Sequence, residues 1–330
     1  MGFNIYDIAK EAEVSIATVS RVINNNKNVS PKTRRKVEEV IKKLDYSPNL
    51  TARSLASNKT MIIGILVTDI RNPFHSMAAY KIVGELEKYG YMSLLLNTSD
   101  DSFTKAKYLE LIYKRGVDGI LLVGSDYGDL SLKDNFKKVS KEIPVVFLNS
   151  FLDEDSYCII CNEDEGIKQS LRHLKKKGYK SPALIVESKS FKSRALKAKT
   201  ESFKKYMNEF YRNEKIKIFE LEKNNKNYTS TIKNIIEEKV DAIQFETDAL
   251  ALSFLTLLER LNYKVPDDIA IVGFDNIDSS KDAIKALTTI DHKINEHAIL
   301  AVDKLKSLIN GEQVEKRTYI NPELIVRETS

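Results

Sequence analysis

The chain has 330 residues, 52 of them Lys or Arg and 47 Asp or Glu, for a net charge of +5. That length is ample for two or three domains. A charged fraction of 30% with a hydrophobic fraction of 42% excludes a disordered or fibrous chain. No apolar run reaches about 18 residues, so no membrane span is expected. The start, MGFNIYDIAK, has no apolar signal core, and the expected location is cytoplasmic.

The charge is unevenly placed. Residues 1–60 hold eleven basic and six acidic groups, net +5, while the other 270 residues are neutral. A basic head on a neutral body is what a polyanion-binding module requires.

Taken in order, the first 45 residues read as three short helices. Asn4 caps the first, with Asp7 at its third position and Ile5, Ile8 and Ala9 behind. Ser15 caps the second, whose inner stripe is Val19, Val22 and Ile23. Ser30-Pro31 opens the third, with a stripe of Val37, Val40, Ile41 and Leu44. Two helices within about 20 residues, braced by a third, make a helix-turn-helix, whose second helix enters the DNA major groove N-terminus first. The outer face of EVSIATVSRVINNN then explains itself. Its hydroxyls can meet phosphates, and its one Arg can reach a base edge.

Residues 46–60, YSPNLTARSLASNKT, read as a linker with a weak helical patch at 49–57. From Met61 the pattern becomes strand, then helix, repeated. The expected strands are MIIGILVTD, MSLLLNT, GILLVG, PVVFLN, YCIIC, PALIV, KIKIFEL, DAIQFE and AIVGFD. Most are near-continuous apolar runs, as in parallel sheets covered on both faces. The expected helices are 74–90, 102–116, 163–178, 195–211, 228–239, 247–262 and 293–310. So many strands suit two α/β lobes better than one sheet. Cys158 and Cys161, in CIIC, sit three apart on a strand and so point to opposite faces. Without a second Cys pair they read as core thiols in a reducing compartment rather than a redox or zinc pair. No metal or cofactor is expected.

The first sixty residues closely resemble the head and hinge of the LacI family of bacterial transcription regulators. The resemblance rests on D-I-A, V-S-x-A-T-V-S-R-V-I-N, V-S-x-x-T-R, Y-x-P-N and A-R-S-L, without gaps. It departs at Glu13, where the family usually has Gly in the turn. It implies base reading by Ile16, Ala17 and Arg21, and phosphate contacts from Ser15, Thr18, Asn24, Ser30 and Thr33. It places Asn49, Ala52 and Leu55 in a hinge helix that folds on DNA, with Leu55 as a minor-groove wedge. Ile16 and Ala17 suit thymine methyls, so an A·T-leaning half-site is expected.

The body resembles the family's periplasmic-binding-protein-like core. The matching pieces include IGILVTDIRNPF, VDGILLVG, HLKKKGYKSPALI, VPDDIAIVGFDN and ALTTIDH. The implied architecture is an all-α helix-turn-helix head (1–46), a hinge (47–60) and an α/β core (61–330) of two doubly wound parallel-sheet lobes. The first lobe takes about 61–161 and 291–321, the second about 162–290 and 322–330. The resemblance implies a small effector in the interlobe cleft. Phe74, Asn149, Lys199, Asp248, Asp275 and His292 are the candidate contacts.

Several positions depart from relatives. Asn149-Ser150 replaces a common Asp-Arg pair, Asn162 a usual Asp, and Lys199 and Ser202 an Arg and a Gly. Fewer carboxylates, with Lys192, Arg194 and Lys197 nearby, favour a sugar acid or sugar phosphate over a neutral sugar. The expected function is a repressor of carbohydrate-utilisation genes acting on a pseudo-palindromic operator as a homodimer. The alternative within the family is a global regulator controlled by a protein corepressor. A transport receptor lacks support from the basic head. A nucleotide-dependent enzyme lacks G-x-G-x-x-G, so no enzyme is expected.

Overall fold

The computed structural model describes residues 3–23, 28–45, 59–187, 193–221 and 228–330. Two compact units divide at Met61 and Ile62.

The first unit holds α1 (Ile5–Glu11), α2 (Ile16–Ile23) and α3 (Pro31–Lys43). Local chemistry sets each start. Asn4 and Asp7 form a reciprocal capping box on α1, and Ser30 with Pro31 caps α3. Ile8, Ala9, Ala12, Val19, Val22, Val37 and Val40 are buried together, one stripe from each helix. Glu13, in the turn before α2, has a φ of 51°, and its carboxylate pairs with Lys36 at 2.7 Å.

The second unit is two six-stranded sheets. The first contains β1 (Ile62–Val67), β2 (Met92–Asn97), β3 (Gly119–Val123), β4 (Val145–Leu148), β5 (Tyr157–Cys161) and β11 (Arg317–Ile320). Its order is β11-β5-β4-β3-β1-β2, all parallel. The second contains β6 (Pro182–Glu187), β7 (Lys217–Leu221), β8 (Ala242–Phe245), β9 (Ala270–Asp275), β10 (Thr288–Asp291) and β12 (Glu323–Ile325). Its order is β12-β10-β9-β8-β6-β7, with β12 alone antiparallel.

Helices cover both faces of each sheet, which is why the strands are apolar throughout. On the first sheet, α4 (Pro73–Glu87) and α11 (Ile294–Ile309) pack on one face. There α5 (Ser102–Lys114) and α6 (Lys133–Ser140) cover the other. On the second sheet, α7 (Glu163–Lys177) and α8 (Arg194–Phe210) face α9 (Thr229–Glu237) and α10 (Asp248–Arg260) across the strands. Cys158 packs in the first lobe's core and Cys161 in the second lobe's, as opposite strand faces require. Both are free thiols.

Four elements escape the sequence patterns: α6, β10, β11 and β12. Each strand among them has only three or four residues. β10 is the polar run TTID, and β11 and β12 are partly exposed edges. β2, expected as a buried run, is instead an edge strand with Met92 and Leu95 exposed. The chain passes between lobes three times, after β5, after β10 and after β11.

Candidate nucleic-acid interface and ligand cleft

In the head, α2 turns its buried stripe inward and presents Ile16, Ala17 and Arg21 to solvent. Ile16 is 41% exposed, which leaves apolar surface free for contact. Ser15 Oγ accepts from the Thr18 N–H at 3.2 Å and pairs with Thr18 Oγ1 at 2.9 Å. Ser30 and Thr33 repeat this at 3.2 and 2.8 Å at the start of α3. Both hydroxyl pairs therefore sit at helix N-termini, where backbone N–H groups favour an anion. Asn24, Asn49, Ala52 and Leu55 lie outside the described residues.

In the core, a cavity of about 510 Å³ opens between the lobes. Its walls follow from topology. Asp69, Asp100, Ser125, Asp126 and Asn149 come just after the first lobe's strands, and Glu187, Glu246 and Asp275 end or follow those of the second. Carboxyl ends of parallel strands beside a switch in strand order are where such folds hold ligands.

Five of the six candidate contacts border the cavity: Phe74, Asn149, Lys199, Asp275 and His292. Asp248 does not, and this corrects the sequence expectation. It is fully buried and accepts from the Ile277 N–H at 2.9 Å and Thr289 Oγ1 at 2.5 Å. It pins the loop after β9 to β10 and so supports Asp275 from behind. Burial, aided by Asp275, pushes its carboxyl up to about 8. Asn162 and Ser202 are likewise structural. Asn162 caps α7 and bonds Asn321 at 2.8 Å, while the Ser202 hydroxyl donates to Asp164 at 3.0 Å.

Lys199 is 6% exposed. Its Nζ donates to the Glu246 carbonyl at 2.7 Å and lies 3.6 Å from the centre of the Phe274 ring. Burial holds the Glu246 and Asp275 carboxyls up at about 7. Asp275 and Asn149 sit at φ 115° and 61°, backbone shapes that Asp and Asn tolerate better than most residues. His292 stands edge-on to Phe74 at 4.6 Å and stacks on His297 at 5.0 Å. Burial keeps both imidazoles neutral, with His297 at about 4. Gly124, at φ 118°, lets the backbone run beside His75, whose Nε2 would lie 2.7 Å from a Cβ there.

Of the expected basic cluster, neither Lys197 nor Arg194 borders the cleft. Lys197 is exposed outside it, Arg194 is held by Glu163 and Asn149, and Lys192 lies outside the described residues. Among the described residues, six acidic side chains line the cavity (Asp69, Asp100, Asp126, Glu187, Glu246, Asp275) against two cations, Arg71 and Lys199, and burial leaves Glu246 and Asp275 partly protonated near neutral pH. The described lining is therefore acidic, whereas Asn149, Ser150 and Asn162 alone suggest fewer carboxylates. Sequence reasoning missed those first four acids and Glu246. Their signal was a polar residue at the end of each apolar run.

A helix-turn-helix head joined in one chain to a two-lobed, cleft-bearing α/β core defines a ligand-responsive DNA-binding regulator. Comparison with known proteins narrows the class. Residues 4–49 match the family profile "Bacterial regulatory proteins, lacI family", and residues 171–330 match "Periplasmic binding protein-like domain". An HTH-type transcriptional regulator of Lachnoclostridium phytofermentans is 32% identical, covering 99% of both chains. Catabolite control protein A of Staphylococcus xylosus and the repressor PurR of Mannheimia succiniciproducens are each 30% identical over 98% of both chains. The lac repressor dimer bound to operator and an anti-inducer has a similar fold, with a TM-score of 0.84 at 23% identity, covering 100% of this chain and 99% of that one. The chain belongs to the LacI family and is a DNA-binding transcriptional regulator. Among the described residues, no helix is long and apolar enough to cross a membrane.

Proposed function

We propose that the protein is a cytoplasmic, homodimeric repressor of carbohydrate-utilisation genes, without enzymatic activity, whose operator binding is set by a neutral polyhydroxylated ligand in the cleft. The observation that carries the ligand class is the acidic lining. Carboxylates accept hydroxyl hydrogens readily, and Phe74 offers an apolar wall of the kind ligand sites use. Among the described residues, a sugar acid or phosphate would face Asp69, Asp100, Asp126 and Glu187, beside the partly protonated Glu246 and Asp275, with Arg71 and Lys199 in compensation, and Arg71 already pairs with Asp69 at 2.8 Å. A built polar cavity of this volume also favours a small ligand over a protein corepressor.

The relatives support the biological setting. They include catabolite control protein A and, at 29% identity, a ribose operon repressor of Lactococcus lactis. The dimer is supported by exposed apolar side chains on adjoining parts of the first lobe: Tyr80 and Val83 on α4, Met92 and Leu95 on β2. Head residues Ser15, Ile16, Ala17, Thr18, Arg21, Ser30 and Thr33 are assigned to the operator.

Isothermal titration with neutral sugars, their acids and their phosphates tests the ligand class. Tighter binding of the neutral member of each set is expected. Tighter binding of the anion would overturn this reading. Selection of genomic fragments on the purified protein tests the operator side, with pseudo-palindromes beside sugar-utilisation genes as the expected yield.

A further inference from the structure

The two passages of chain after β5 and after β10 bring together three side chains of a kind that binds metals. Cys161 ends β5, Glu163 opens α7, and His292 directly follows β10. One donor atom from each lies within 4.8 Å of the other two, and all three residues are buried. The His292 ring makes no short hydrogen bond: its Nε2 lies 3.5 Å from Asn149 Nδ2, and its buried Nδ1 has no partner among the described residues. An imidazole nitrogen shut away from water without a partner is unfavourable, and a metal ion is one means of satisfying it.

We infer that Cys161, Glu163 and His292 form a site for one divalent transition-metal ion, zinc by ligand type. Thiolate and imidazole are the donors that suit zinc, and a carboxylate completes a common three-residue set. Three protein donors leave a fourth position open. His292 is the one of the three that borders the cleft, so this position is where a ligand oxygen or water meets the ion.

The geometry sets what binding must do. Zinc bonds of about 2.0–2.3 Å place tetrahedral donors about 3.5 Å apart. The donors therefore draw in by up to about 1 Å. Glu163 already holds Arg194 at 2.6 Å through Oε1, so its Oε2 is the oxygen for the ion. Cys161 releases its proton on binding. The thiolate and the Glu163 carboxylate then balance the two positive charges of the ion, while Arg194 and Lys199 oppose it from nearby. Because β5 belongs to the first sheet and α7 and β10 to the second, the ion ties together two of the passages between lobes. Cys158 takes no part, since it packs on the other face of β5.

The test uses the full-length reduced protein after treatment with a chelator. Zinc is titrated against a chromophoric chelator, and cobalt replaces it for absorption spectroscopy. One ion per chain is expected, with a thiolate-to-cobalt charge-transfer band. Cys161→Ser should abolish the band and weaken zinc by more than about 100-fold, beyond the effect of losing an outer partner. Cys158→Ser should keep both, and His292→Gln should weaken zinc while keeping the band. Absence of the band in the unaltered protein overturns the site without recourse to any variant, as does zinc binding unchanged in Cys161→Ser. No operator DNA enters these measurements, so the site stands or falls apart from the regulatory reading.

Discussion

Arg194, at the start of α8 in the second lobe, donates from Nη2 to Asn149 Oδ1 in the first lobe at 3.0 Å. The same nitrogen reaches Glu163 Oε1 at 2.6 Å, and Nε approaches the Asn149 carbonyl at 3.4 Å. Beside it, the Ser125 and Ser193 hydroxyls meet across the lobes at 2.6 Å. Arg194→Ala leaves the 2% exposed Glu163 carboxylate without its cation. We expect a loss of about 3–5 kcal/mol in urea unfolding, the range for breaking a buried pair from one side. Replacing both partners together, Arg194→Met with Glu163→Gln, should recover much of it. An unchanged midpoint in Arg194→Ala would show that the contact does not hold the lobes.

The cleft predicts a pH dependence with opposing parts. Glu246 and Asp275, raised by burial to about 7, keep protons in the folded chain that the unfolded chain has released above about pH 4. Their contribution to stability therefore falls as pH rises from about 4 to 7, and is level above that. His292 and His297, lowered by burial, act in the other direction. The unfolded chain binds their protons below about 6.5 and the folded chain does not, so their contribution falls as pH drops. The difference between proteins isolates each part. Melting temperatures of Glu246→Gln should gain on the unaltered protein as pH goes from 5 to 8. Parallel curves would refute the assignment.

The head carries a strained turn. Glu13 at φ 51° adopts a left-handed conformation that disfavours a side-chain-bearing residue by about 1–2 kcal/mol. Its pair with Lys36 is exposed at both ends, where solvent and salt screen it. The strain outweighs the pair, so Glu13→Gly should raise the melting temperature of the head. Loss of stability in that variant would mean the ion pair prevails.

Operator recognition should divide along the exposed face of α2. Arg21→Ala is expected to cost about 1–3 kcal/mol in operator affinity and relax the sequence preference at one base pair. Ala17→Gln replaces a methyl contact with a hydrogen-bonding group. A binding-site selection should then shift at one position of the half-site, from thymine toward adenine on the contacted strand. An unchanged selected site in both variants would remove α2 from base reading.

The head was legible in sequence because its signals are local. Asn4, Ser15 and Ser30 act within one turn of their own helices, and the structure places each where its spacing implies. The long strands and helices of the core were legible for the same reason. The cleft was less so, because its chemistry depends on partners distant in the chain. Nothing near Asp248 shows that Thr289 and the Ile277 N–H turn it away from the cavity. Nothing near Arg194 shows that Glu163 and Asn149 hold it out of the cavity. Substituted positions alone are an incomplete guide to the charge of the site, since Asp69, Asp126 and Glu187 arrive from strand ends those positions do not reveal.

The three passages between lobes have a consequence for how the protein is made. As the ribosome extends the chain, the head is complete once α3 has emerged. Neither lobe is. The first lacks α11, which covers one sheet face, and the edge strand β11; the second lacks β12. All three lie within residues 294–325. A nascent chain thus carries a finished DNA-reading head well before it has a ligand-reading core. A chain that stopped before residue 294 would carry the former and lack the latter.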